Sequence, residues 1–200
     1  MGESAEELYT RALAAADADG RLPVPPLDQW ETFPFEGEMR VRPLRPPAEE
    51  PPRLGEDPAD CPRCRQGDED AIWSDERWLV TPLQKPSGLP VIVILQPRDH
   101  CDLGDMPDEL AAELGPLLVR VERAVHSAGD IGRVHVGRWG DGSAHLHWWF
   151  IARPARMPQL RTSFAAIWDD ILPPLPEELW RANLGAVAQA LATGGGRAHV

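Results

Sequence analysis

Hydrophobic and polar positions divide the chain into stretches of different period. In residues 3–16 (ESAEELYTRALAAA), Leu8, Ala12 and Leu13 recur at helical spacing with Ala15 and Ala16 behind an acidic first turn, which predicts a short amphipathic helix. The period then disappears. Eleven of the 22 prolines lie between Pro23 and Pro62, and each removes a backbone donor and fixes φ, so this stretch is expected as an extended arm. Its apolar residues Trp30, Phe33, Phe35 and Val41 are too many for a free linker and predict an arm laid across the folded body or a partner subunit. Order returns at Ala71, where AIWSDERWLVTPL reads as two short strands about a turn. LPVIVILQP follows as a β-branched run bounded by prolines, the mark of a buried strand. MPDELAAELGPLLVRVERAVHSAG places Leu110, Leu114, Leu117, Leu118, Val121 and Val125 on one helical face, with Pro116 the only local objection. IGRVHVGRW and SAHLHWWFIARP alternate as strands around Gly140-Asp141-Gly142, a hairpin signal. PLPEELWRANLGAVAQALA, from Pro174 to Ala192, reads as a helix stopped by Gly194, Gly195 and Gly196. The expected architecture is an α+β meander, with residues 1–58 forming a helix and proline-rich arm and residues 59–200 the domain with its C-terminal helix.

Composition narrows the function classes. At 22.1 kDa the chain can bury roughly 70% of its unfolded surface, so it needs neither disulfides nor a metal merely to fold. The formal net charge of -12 argues against a nucleic-acid-wrapping or anionic-membrane surface, because phosphate affinity needs clustered Lys and Arg. A local basic pocket for a small anion stays open. No apolar run has membrane-spanning length, and MGESAEELYT lacks the basic-then-apolar order of a signal peptide, so a cytoplasmic protein is expected.

Three cysteines cannot all pair, and Cys61-Pro62-Arg63-Cys64 in a reducing compartment points to metal or redox chemistry. Two thiolates at this spacing favour tetrahedral zinc, which needs two further nitrogen or sulfur ligands. In His145-Leu146-His147-Trp148-Trp149-Phe150-Ile151, a period of two sets His145, His147, Trp149 and Ile151 on one face. The two imidazoles would then have Cβ atoms roughly 6–7 Å apart. They read either as buried, hydrogen-bonded histidines or as metal or catalytic groups. His100 closes Gln96-Pro97-Arg98-Asp99-His100 just past the buried strand, where a loop residue is held firmly yet reaches a site. Eight tryptophans suggest stacking surfaces as well as core, and Trp139, Trp148 and Trp149 cluster near these histidines.

Cys-x2-Cys, a strand ending in Pro-Arg-Asp-His, a long helix, and then His-Leu-His-Trp-Trp-Phe-Ile-Ala-Arg together resemble the histidine-triad (HIT-like) superfamily over residues 60–155. That superfamily includes nucleoside phosphoramidate hydrolases, dinucleoside polyphosphate hydrolases and galactose-1-phosphate uridylyltransferases. The resemblance implies a HIT-like antiparallel sheet with a long helix and a nucleotide or other phosphorylated small molecule as substrate; triad proteins often form homodimers through the long helix and adjacent strand, and here the arm of residues 23–44 either wraps such a partner or replaces it. The resemblance makes His147 the nucleophile. From the zinc-containing branches it implies Cys61, Cys64, His100 and His145 as ligands of a structural zinc, and it maps Arg153 onto the closing arginine of the motif. A neutral imidazole attacks phosphorus when its other nitrogen is fixed by a hydrogen bond, giving a phosphoramidate that water or another acceptor resolves.

The departures from the motif are informative. The third triad position is Trp149, which donates one hydrogen bond but cannot shuttle a proton; uridylyltransferases have glutamine there. Asp141 stands near a position where many triad hydrolases carry a phosphate-binding glutamine, and its carboxylate would repel an anion. Arg138 takes the approximate place of an asparagine. Arg138 and Arg153 either grip phosphate oxygens or are plain surface cations. With Asp141, Ser143 and Trp149 they make up the expected substrate-binding set. The expected function is a nucleotidyl- or phosphoryl-transferring hydrolase or transferase. Two alternatives stand beside it: a degenerate module binding a nucleotide or protein partner without chemistry, and a catalytic zinc with His147 as general base.

Overall fold

The β-branched run after Pro90 has side chains that suit neither a helix nor an exposed edge, and it becomes the middle of a sheet. In the computed structural model, which describes residues 3–199, contacts divide the chain into two units that meet between Pro51 and Pro52. The first contains helix α1, Ala5–Ala14, and extended chain with one short 3₁₀ turn. Ser4 starts α1 by a capping box: its hydroxyl accepts from the Glu7 N–H at 3.2 Å and its own N–H donates to the Glu7 carboxylate at 2.7 Å. No side chain of α1 is buried, although Leu8 and Leu13 lie on it.

The second unit carries α2, Pro62–Gln66; β1, Trp73–Ser74; β2, Trp78–Pro82; β3, Ile92–Pro97; α3, Asp108–Val125; β4, Ile131–Gly137; β5, Trp148–Pro154; α4, Ala165–Ile171; α5, Glu177–Ala192; and β6, Arg197–Ala198. The strands form one sheet in the order β4-β5-β3-β2-β1-β6, antiparallel at every neighbour. The class is α+β. Residues 52–58 pack with this unit, where Leu54 pairs in parallel with Ser143.

The sheet has two covered faces. Inward-facing Val80, Val93, Leu95, Phe150 and Ala152 meet Leu110, Leu117, Val121 and Val125 of α3 and Leu184, Val187 and Leu191 of α5 in the main core. On the outer face Ile92 and Ile151 pack with Leu89 and Leu160, with Leu83, Trp149, Trp168 and Leu172 around them. α3 runs unbroken through Pro116, because its buried stripe outweighs one lost backbone bond.

Three features differ from the pattern-based expectation. β5 starts only at Trp148, so His145 and His147 lie in the connection from β4, and residues 138–147 form a ten-residue loop rather than a tight hairpin. Their backbone is claimed elsewhere: the Leu54 N–H donates to Gly142 O and the Ala144 N–H to Leu54 O, both at 3.0 Å, while the Leu146 N–H donates to Cys101 O at 2.9 Å. α4 and β6 carry no strong local signal and come from packing. β6 closes on β1 because Gly196, at φ 77°, lets the chain lie against Trp73; a Cβ there would stand 2.5 Å from the indole.

Candidate metal centre and nucleophile

Cys61 is the N-cap of α2, with Pro62 in the first helical position, and Cys64 follows one turn later on the same side. Gly55 makes this approach feasible: its φ is 76°, and a Cβ would come within 3.1 Å of the Cys61 Cβ. The loop after β3 delivers His100, and the β4–β5 loop delivers His145. Ligand atoms of the four side chains lie within 4.8 Å of one another. The Cys61 Sγ is 3.5 Å from the His145 Nδ1, the Cys64 Sγ 3.6 Å from the same nitrogen, and the Cys64 Sγ 3.5 Å from the His100 Nδ1.

These separations fit a shared metal. Zinc at about 2.3 Å from sulfur and about 2.05 Å from nitrogen, in tetrahedral geometry, places sulfur and nitrogen about 3.6 Å apart. The tautomer of His145 also fits, since its Nε2–H donates to Pro97 O at 2.9 Å and leaves the Nδ1 lone pair facing the sulfurs. The two imidazole planes stand at 86° with centroids 5.1 Å apart, so the rings converge edge to face. Cys61 and His145 are buried; Cys64 is at the surface. Burial, then the neighbouring Cys61 thiol, push the Cys64 thiol up to about 11, so two thiolates coexist here only with a cation to neutralise them. Burial likewise lowers the His145 pKa against the opposing pull of the Pro97 carbonyl, which favours the neutral imidazole that a metal needs.

His147 is half-buried next to this cluster. Its Nδ1 lies 2.8 Å from the His145 carbonyl oxygen, which can only accept, so Nδ1 carries the proton and Nε2 bears the lone pair. Nε2 has no hydrogen-bond partner among the described residues. Gln96, one step along β3 from the Leu95–Trp148 pair, has a buried Oε1 without a hydrogen-bond partner. Alternation begins with the strand: Trp148 and Phe150 join the inner core, and Trp149 and Ile151 the outer cluster.

The remaining candidates separate. Trp149 stays near His147, its ring 6.3 Å from that of Trp139 at 77°. Asp141 is an exposed loop residue, and Ser143 is half-buried where its backbone pairs with Leu54. Arg138 is engaged rather than free: its guanidinium lies over Gly140 and pairs with Asp102. Arg153 lies toward the far end of β5, five residues and ~17 Å past Trp148 at strand rise, where it donates to Pro154 O and Met157 O. His135 is held in the β4–β5 ladder opposite Ile151, with its pKa lowered by burial and then by Arg153.

Sequence reasoning missed Arg53 and Asp102. The Arg53 Nη1 donates to Asp102 Oδ2 at 2.6 Å and to Gly140 O at 3.2 Å, so one carboxylate joins two arginines across the base of the histidine loop. Burial alone would raise Asp102, but Arg53, the Leu103 N–H and Arg138 outweigh it and hold the carboxyl below its ordinary range. The only signal was position: Asp102 follows His100 by two residues. A separate cavity of about 760 Å³, lined by Asp68, Ser74, Arg98 and His199 among others, contains none of the expected site residues.

No family model matches the sequence, and no curated protein matches it. Among solved structures, the chain is similar to a Zn-bound histidine triad family protein from Mycobacterium smegmatis, at 22% identity and a TM-score of 0.49, over 68% of this chain and 98% of that one. It is similar to a hypothetical histidine triad nucleotide-binding protein from Sulfolobus tokodaii at 16% identity and a TM-score of 0.49, over 66% and 93%. A uridylyltransferase structure is similar at 20% identity and a TM-score of 0.43, over 64% of this chain and 45% of that one. Two of these three structures are of histidine triad proteins.

Proposed function

We propose that this chain is a nucleotidyl- or phosphoryl-transferring hydrolase or transferase that works through His147, with a structural zinc on Cys61, Cys64, His100 and His145. The observation that carries this reading is the 2.8 Å contact from the His147 Nδ1 to the His145 carbonyl. It fixes the ring and leaves Nε2 with its lone pair toward solvent, the arrangement a nitrogen nucleophile needs. The His147 Nε2 forms a bond to the phosphorus of a nucleotide or other phosphorylated small molecule as the bond to the leaving group breaks. The Nδ1–H stays on the carbonyl and spreads the positive charge of the imidazole. Water or a second acceptor then attacks the phosphoramidate and frees the Nε2.

Cys61, Cys64, His100 and His145 would hold a zinc with protein ligands alone, and it would then supply rigidity rather than a bound water. His145 is the link: its side chain joins the metal shell while its carbonyl orients His147. A reducing compartment, the cytoplasm, keeps Cys61 and Cys64 as thiols ready for metal.

The test is intact-protein mass spectrometry, native and denaturing, after incubation with adenosine phosphoramidate, ApppA and UDP-glucose, alongside steady-state turnover of the same compounds. One zinc per chain and a nucleotidyl adduct are expected. His147→Ala should abolish adduct and turnover while keeping zinc and fold; unchanged turnover in that variant would overturn the nucleophile.

A further inference from the structure

Trp139 is 55% exposed, so core packing does not account for it, yet it is fixed on two sides. Its benzo edge lies over Gly137, where a Cβ would stand 3.1 Å from the ring, and its ring meets Trp149 edge to face at 6.3 Å. Gly137 is paired with Trp149 in the β4–β5 ladder, so the indole of Trp139 folds back over the outer face of the sheet. His147 stands two residues before Trp149, at the end of the loop that leads into β5. The two indoles stand at 77° and make an open corner: one wall is set into the strand, the other comes from the loop. A large aromatic side chain held rigid and left exposed costs little further ordering when a planar ring stacks on it.

We propose that Trp139 and Trp149 form a stacking subsite for the nucleobase of the substrate, with Trp139 as the specificity-determining residue. This rests on the reading of His147 as a nucleophile toward a nucleotide. Two residues of chain span at most about 7 Å, so Trp149 lies within that reach of His147, and Trp139 is one ring contact further out. A phosphate at the His147 Nε2 therefore has the corner within reach of the base of the same nucleotide. Recognition is by the π-face, which every base has, and the discrimination is between nucleotides and sugar phosphates that lack a base. Gly137 belongs to the same device, because any larger residue would displace the indole.

The experiment is a binding cycle by titration calorimetry on the zinc-loaded full chain. It compares the tightest-binding of the four common ribonucleoside monophosphates with ribose 5-phosphate, on wild type, Trp139→Ala and Trp139→Phe. In wild type the base is expected to improve affinity about tenfold to a hundredfold. In Trp139→Ala that ratio should fall close to one with ribose 5-phosphate affinity unchanged, and Trp139→Phe should restore part of it. A ratio that is the same in Trp139→Ala, or already near one in wild type, would overturn the subsite. Turnover through His147 is read separately. A collapsed ratio without turnover would sink the catalytic reading and leave the subsite standing, whereas turnover with an unaltered ratio would do the reverse.

Discussion

At the scale of single residues, the arrangement turns on side chains that do two things at once. His145 presents Nδ1 to the cysteines, anchors Nε2 on Pro97 and lends its carbonyl to His147. Asp102 holds Arg53 with one oxygen and Arg138 with the other, at 18% side-chain exposure against 30% and 24% for the arginines. Asp102→Asn removes the charge, leaving Arg138 without a carboxylate and Arg53 with Glu56 alone. With the exposure taken into account, a loss of about 1–2 kcal/mol is expected in urea melts. Turnover should fall as the histidine loop loosens, while metal content stays at wild-type level; turnover equal to wild type in the folded variant would count against the brace. Arg138 was legible in the sequence as a cation near the site. Its partner was not, because no local pattern shows which acid a guanidinium will find.

At the scale of elements, periodicity predicts what is locally determined. The apolar stripe of α3 identifies its buried residues Leu110, Leu117, Val121 and Val125, and β3 follows from an unbroken β-branched run. The same alternation misplaced His145 and His147 in a strand, since a loop whose backbone groups bond to Leu54 and Cys101 shows the same run of residue types. Pro116 gives a direct test of the balance in α3: it is exposed on the helix and contributes no donor. Pro116→Ala should stabilise the fold by up to about 3 kcal/mol, seen as a higher melting temperature with unchanged activity. A lower melting temperature would mean that the proline's restriction of the unfolded chain matters more than the missing bond.

For the whole molecule, metal and pH should act through groups far apart in sequence. Cys61→Ser and Cys64→Ser each remove a ligand, so each should lower both zinc content and melting temperature, and a chelator should do the same to wild type. Stoichiometric zinc in both variants would refute the shell. Asp169 carries a second linkage. Burial raises its pKa despite hydrogen bonds from the backbone of Leu89 and Gly88, so its contribution is fully present below the ordinary aspartate value near 3.9 and is lost as pH rises through the higher folded value. Asp169→Asn keeps an acceptor oxygen without the charge. The melting temperature of wild type relative to this variant should therefore decline over that interval, and a flat difference would show that Asp169 titrates at the same pH in both states.

What the sequence by itself determined is what a short stretch of chain can encode: the α+β class, α3, β3, and the donor types Cys61, Cys64, His100 and His145 at telling spacings. These follow from side-chain chemistry and from periods of 2 and 3.6, which need no knowledge of distant partners. Tertiary structure alone decided that the four donors converge within 4.8 Å, and that Nδ1 rather than Nε2 faces the sulfurs. It alone decided that Trp139 rests on Gly137, that Arg53 and Asp102 brace the histidine loop, and that β6 closes on β1. Each of those joins residues far apart in the chain or selects one of two equivalent atoms, and such choices are made by packing and hydrogen-bond satisfaction, after local propensity has been spent.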